Sequence, residues 1–183
     1  MRTIFALTIL FSFNLLFSGE KAPQSIVDLA HSKLSTIGTD QIIADAVNEQ
    51  NAKSISLAQI KKQDEEWKST PGLADFMKEI MVSKCGKHLA EIQKSTSYFA
   101  EIFVMDNQGA NVAMTDKTSD YWQGDEDKFT ESYKNGKGAI HISEVEFDDS
   151  AQAYLVQVSV PVKDKGKVIG AITFGIDIDK VEK

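Results

Sequence analysis

"KVIGAITFGIDI", residues 167–178, is the stretch whose reading decides the fold. Val168, Ile169, Ala171, Ile172, Phe174, Ile176 and Ile178 place apolar side chains at both odd and even positions. Successive residues of a strand point to opposite faces, so a strand with one wet face alternates cleanly. This one does not. Both of its faces must be covered, which puts it in the middle of a sheet. "QAYLVQVSVPV" (152–162) precedes it across the turn-rich "KDKGK" (163–167), and "AIHISEVEF" (139–147) precedes that across "DDS" (148–150). Links of this length and composition make hairpins, so an antiparallel meander of three strands is expected.

Further upstream, "EIFVMD" (101–106), the turn "NQG" (107–109) and "NVAMTD" (111–116) read as two more strands, five in all. Ile102, Phe103, Val104 and Met105 again fill both parities, so the first strand is also covered twice. One cover comes from the N-terminal part, where the apolar period is helical. Ile26, Leu29, Ala30, Leu34 and Ile37 form one stripe, ended by Gly38. Ile42, Ile43, Ala46 and Val47 follow behind a Thr39 or Asp40 cap, and Leu57, Ile60 and Trp67 form a third stripe. After the break "STPG" (69–72), two short helices carry Leu73, Phe76, Met77, Ile80 and Met81, then Leu89 and Ile92, with Gly86 expected between them. The other cover must come from the segment between the second and third strands: the loop "TSDYWQGDEDKF" (118–129) and a short helix near 127–133, closed by "NGKG" (135–138). A loop lying across the sheet would enclose a space.

The class is therefore α+β, with residues 20–99 helical and 100–183 sheet-forming. Residues 1–19, "MRTIFALTILFSFNLLFSG", stand apart. A basic Arg2, an apolar run to about Phe17 and the small Ser18 and Gly19 make the pattern of a secretory signal peptide. The run is shorter than the ~20 residues of a spanning helix. No Cys follows the small residues, so a lipoprotein is not expected, and a periplasmic or secreted protein is; whether the segment is cleaved or kept as an anchor stays open. A net charge of −7 argues against a phosphate-tracking nucleic-acid binder. Cys85 is the single cysteine and cannot make an internal disulfide; it reads as a half-buried helix residue and not as a nucleophile.

Two strands, a helical cover, then a three-stranded meander is the PAS-like order. With a long helical segment in front, it resembles the extracytoplasmic Cache (PDC-type) sensor domains. The resemblance rests on Asp106 and Gly109 in the first turn, Thr115 at the strand end, and Asp120, Tyr121, Trp122 and Asp125 in the loop. Pro161, Val162, Gly166 and Gly170 fit the closing strands. It covers about residues 22–180. It implies a five-stranded antiparallel PAS-like sheet with an N-terminal helical segment on one face and a helical cover on the other. It also implies sensing of a small molecule and signalling through a membrane receptor or kinase. The sequence shows no exit helix or output domain up to Lys183, so a stand-alone, secreted sensor is expected.

The acidic aromatic loop admits three chemistries. Paired carboxylates can do acid–base work, but no hydrolase motif accompanies them, and no enzyme is expected. Asp120, Asp125 and Asp127 offer hard oxygens to a divalent cation, yet their spacing is not that of an EF-hand; no metal or cofactor is assigned. As a ligand loop the composition fits best: aromatics give walls and carboxylates orient an amine or a hydrogen-bonding group. The expected ligand-binding residues are Thr115, Asp120, Tyr121, Trp122 and Asp125, with Tyr154 and Ser159 on the fourth strand, and the ligand an amino acid, amine or carboxylate. Tyr121 and Trp122 could equally plug the core, and Asp125 could cap the following helix. An interaction module is the alternative, with a homodimer through the N-terminal helices and the stripe Leu57–Ile60–Trp67 as its contact.

Overall fold

The computed structural model describes residues 19–149 and 151–181. The expected signal segment therefore lies outside the described residues, except for Gly19. Among the described residues no helix is long and apolar enough to cross a membrane.

The described residues open with α1 (Gln24–Leu29), a π-helical turn (Ala30–Leu34) and α2 (Ser35–Ile37), which run on as one helical stretch. Ile26, Ala30 and Leu34, four residues apart, are completely buried. Gly38 ends the stretch against the strand Ala153–Asp164: a Cβ there would sit 2.6 Å from the Pro161 carbonyl oxygen, and that of Gly38 accepts from Lys163 N at 2.8 Å. Asp40 caps α3 (Gln41–Ala52), taking hydrogen bonds from the Ile42 and Ile43 amides at 2.8 and 3.3 Å. α4 (Leu57–Ser69) starts on a capping box between Ser56 and Gln59.

α5 (Asp75–Val82) and α6 (Lys84–Lys94) are separated at Ser83, whose hydroxyl accepts from the Gly86 amide at 2.9 Å. Gly86 was expected between the two helices but lies inside α6. Its role is contact, because a Cβ would sit 2.2 Å from the Met81 carbonyl oxygen at the tight junction.

Six strands follow among the described residues: β1 (Phe99–Met105), β2 (Asn111–Met114), β3 (His141–Ile142), β4 (Glu146–Asp148), β5 (Ala153–Asp164) and β6 (Lys167–Asp177). Between β2 and β3 stands α7 (Asp127–Tyr133), and α8 (Ile178–Val181) closes the described chain. The sheet is antiparallel in the order β2-β1-β6-β5-β3, with β4 also paired to β5. The third expected strand is thus two short ones, both edge partners of β5. α7 starts at Asp127 after Glu126, without a side-chain cap, so Asp125 does not cap it.

β6 lies between β1 and β5, and Val168 to Asp177 are all buried. Register separates its faces. Phe174 stands opposite Ile102 and Val158, whereas Thr173 stands opposite Phe103 and Ser159. Ile172, Phe174 and Ile176 therefore face the N-terminal helices, joining Ile26, Leu34, Ile43, Val47 and Leu89 in one apolar cluster. Ala171, Thr173 and Gly175 face the other way. There the apolar part is a second cluster of Phe103, Met105, Met114 and Ala171 with Ile60, Trp67, Met77, Tyr121 and Phe129. The helical segment thus supplies both covers: α1, α3 and α6 on one side, while α4 and α5 contribute Ile60, Trp67 and Met77 to the loop side.

Candidate functional site

The acidic aromatic loop is pinned at nearly every residue. Asp64 is a charged residue on the buried stripe of α4. Its Oδ1 accepts from the Tyr121 and Trp122 amides at 2.9 and 3.0 Å, and its Oδ2 pairs with Lys68 at 2.7 Å. Lys68 reaches Asp120 as well, at 2.8 Å. Burial works against the charge of Asp120, but the hydrogen bonds from Lys68 and Ser119 outweigh it, so its pKa is lowered. The Trp67 indole donates to the Thr118 carbonyl at 2.8 Å and that of Trp122 to Gln108 at 2.7 Å. Backbone pairing from Asn111 N to Tyr121 O (2.9 Å) and from Gln123 N to Gly109 O (2.8 Å) lays the loop beside the β1–β2 turn. Gly109, at φ +86°, and Gly124 permit this: a Cβ on Gly109 would stand 2.5 Å from the Gly124 Cα.

The pinned loop leaves a cavity of about 350 Å³ over the small-residue face of the sheet. Its sheet wall is Glu101, Phe103 and Gln157; its loop wall is Lys117, Thr118, Ser119 and Gln123; Lys128 of α7 and Asp148 close it. Gly175 makes room, since a Cβ there would lie 2.5 Å from the Glu101 Cγ. The Glu101 side chain therefore lies over β6, where its Oε1 accepts from Gln157 Nε2 at 3.1 Å. Burial raises the Glu101 pKa above its ordinary 4.5; the Gln157 hydrogen bond and Lys128 oppose that in part. Lys128 Nζ is 2.9 Å from Glu126 and lies over the Phe103 ring. Lys117 Nζ donates to the Thr70 and Gly72 carbonyls. Gln123 is 1% exposed; its Nε2 donates to Asp120 O, while its Oε1 has no hydrogen-bond partner among the described residues. A groove of about 610 Å³ continues past Lys128 and Gln157 to Asp125, His141 and Ser143.

None of the seven residues expected from the sequence is among those that line this cavity. Asp120 is the salt-bridge anchor of the loop. Tyr121 is buried against Trp67, with ring centroids 5.6 Å apart, and faces a different hollow among the helices. Trp122 packs under Lys61, 4.5 Å from its ring, at the β1–β2 turn. Thr115 ties β2 to β1, its hydroxyl accepting from Ile102 N at 2.9 Å. Ser159 bonds Thr173 at 2.8 Å on the loop-side face, and Asp125 borders the adjoining groove. Tyr154 is half exposed and stacks edge-on with Phe147. Asp120, Asp125 and Asp127 do not converge, and among the described residues no group of three His, Cys, Asp or Glu could hold a metal. Ile60 and Trp67 are fully buried, so of the stripe proposed for dimerisation only Leu57 is exposed.

Sequence reasoning missed Glu101, Lys117, Gln123, Lys128 and Gln157. Glu101 and Gln157 carried a signal: each is a polar interruption in a strand that is otherwise apolar.

The profile of the family described as methyl-accepting chemotaxis protein-like, first PDC sensor domain, matches residues 49–183. No curated protein matches the sequence. Among solved structures, the chain is similar to the sensor domain of the V. cholerae histidine kinase DctB, with 14% identity, a TM-score of 0.46, and coverage of 87% of this chain and 53% of that one. It is likewise similar to the ligand-binding domain of the Campylobacter jejuni chemoreceptor Tlp3 in complex with 4-methylisoleucine, with 15% identity, a TM-score of 0.44, and coverage of 87% and 64%. The chain thus spans between half and two thirds of the length of these structures.

Proposed function

The chain belongs to the methyl-accepting chemotaxis protein-like first PDC sensor domains, and on that premise we propose that it recognises a small molecule in the cavity between the sheet and the loop, without turning it over. The observation that carries this reading is the buried, unpartnered Gln123 Oε1 at a cavity whose walls bear both signs of charge. A buried acceptor left without a donor is costly, and a ligand donor would relieve it. Lys128 offers a cation to a carboxylate; Glu101 and Gln123 Oε1 offer acceptors to an ammonium. The pairing fits a dipolar ligand, an amino acid above a simple amine or carboxylate. Thr115, Asp120, Trp122 and Ser159 serve this site by holding loop and sheet in place, Asp125 by bordering its outer groove.

The proposed setting is extracytoplasmic, with the signal passed to a membrane receptor or kinase. A thermal-shift panel of amino acids, amines and carboxylates tests the reading. A ligand at a hundredfold excess over Kd stabilises the folded state by about 2.7 kcal/mol. At least one amino acid should raise the midpoint of the parent and leave Lys128→Ala unmoved. A panel without any stabilisation at saturating concentrations would sink the proposal.

A further inference from the structure

The loop wall of the sheet-face cavity is held from behind by α4. Asp64, Trp67 and Lys68 stand at helical spacing on one face of that helix. Trp67 fixes the Thr118 carbonyl and Asp64 fixes the Tyr121 and Trp122 amides. Lys68 joins the two sides, with one ion pair to Asp64 and one to Asp120. Lys117 repeats the grip just past the helix, on the Thr70 and Gly72 carbonyls. Lys68 itself does not line the cavity.

Asp120 passes the grip on to the groups that do. Its Oδ1 meets the Lys68 ammonium at 2.8 Å, and its Oδ2 accepts from the Ser119 hydroxyl at 2.8 Å. Its carbonyl accepts from Thr118 Oγ1 at 2.7 Å and from Gln123 Nε2 at 2.8 Å. Thr118, Ser119 and Gln123 line the cavity, and each takes its direction from Asp120. Thr118 and Gln123 are buried, whereas Ser119 is exposed and open to a molecule in the cavity. A hydroxyl has one proton to donate. That of Ser119 is committed to Asp120, so its oxygen turns lone pairs to the cavity and acts there as an acceptor. Burial opposes the Asp120 charge, but the hydrogen bonds from Lys68 and Ser119 prevail and lower its pKa. The carboxylate thus stays ionised and keeps the hydroxyl proton turned toward it.

We infer that Ser119 receives the ammonium end of the molecule bound here, and that Lys68 is a positioning residue which fixes this polarity through Asp120 without touching that molecule. The inference rests on the proposed function of this cavity and adds its selectivity. A molecule with an N–H donor gains a bond at Ser119; its analogue without the amine does not.

Isothermal titration of the full chain with each of the standard amino acids, and with the des-amino carboxylic acid of the tightest one, sets the reference. Ser119→Ala should weaken that amino acid about tenfold, the size expected for a hydrogen bond to a charged group. It should leave the des-amino acid unmoved. Lys68→Met should reproduce both results, and Lys68→Arg should restore binding. The double variant Lys68→Met with Ser119→Ala should lose no more than either single change, which separates positioning from a general loosening of the fold. Should Lys68→Met not fold, Asp120→Asn interrupts the same chain at its middle and should match Ser119→Ala. Additive losses, an unchanged affinity in Ser119→Ala, or an equal loss for the des-amino acid would overturn the inference and leave the proposed function standing. A parent chain that binds none of the amino acids would remove both.

Discussion

On the helix-covered face of the sheet, Ile172, Phe174 and Ile176 meet Ile26, Leu34 and Val47, and every one of these side chains is completely buried. On the loop-covered face, Ala171, Thr173 and Gly175 stand beside Glu101, Gln157 and Ser159. The same strand supplies both rows. One row has large side chains that fill the space above them; the other has small or polar ones that leave it hollow. A filled apolar face yields stability through burial, and a hollow polar face has room and directional groups for a ligand. The strand thus divides by parity between Ala171 and Ile176: its even positions fill the apolar core on the helix side, and its odd positions are small and lie beneath the face on which Glu101 and Gln157 line the cavity.

Truncation on the filled face should show the largest effect. Phe174→Ala should lose about 3–5 kcal/mol of unfolding free energy in denaturant titration. The paired change Ser159→Ala with Thr173→Val, which removes both partners of one buried hydrogen bond on the hollow face, should cost under about 1.5 kcal/mol. Equal losses would erase the distinction between the faces.

Removing the anchor of the loop comes next. Asp64→Ala leaves the Tyr121 and Trp122 amides without their acceptor, at about 1–3 kcal/mol for each buried donor. Faster hydrogen exchange should appear at residues 118–124 before it appears in β5 or β6. Lys128→Ala should change stability by less than about 1 kcal/mol, because its pairing with Glu126 is a near-surface one, yet it should abolish ligand stabilisation.

The smallest effect is a pH dependence. Burial raises the Glu101 pKa above 4.5 in the folded state. The ionised form is therefore penalised by folding, and this group takes stability away as pH climbs from 4.5 through its folded pKa. Glu101→Gln keeps an acceptor for Gln157 and removes the charge. Its stability relative to the parent should improve steadily with rising pH over that interval; a constant difference would show that Glu101 is not strained by burial.

Much of this division was legible in the sequence. Apolar residues at both parities of "KVIGAITFGIDI" marked a central strand, and β6 has a neighbour on each side and cover on both faces. The helical stripes predicted buried Ile26, Leu34, Ile43, Ile60 and Trp67 from spacing alone. The break of the third strand between Ile142 and Glu146 was not legible, because nothing in "AIHISEVEF" punctuates it. Gly86 misled because a helix-packing glycine and a helix-ending one look alike in sequence. The loop announced itself by composition, but the hollow each side chain faces depends on Asp64, Trp67 and Asn111. The first two lie more than fifty residues upstream of the groups they hold, and no local pattern links them.

Hydrogen exchange with and without a saturating mixture of amino acids tests the central division most directly. The division predicts new protection in residues 117–128 and around Glu101 and Gln157, with α1 and α3 unchanged. Protection gained on the helix-covered face instead, or at no position, would contradict it.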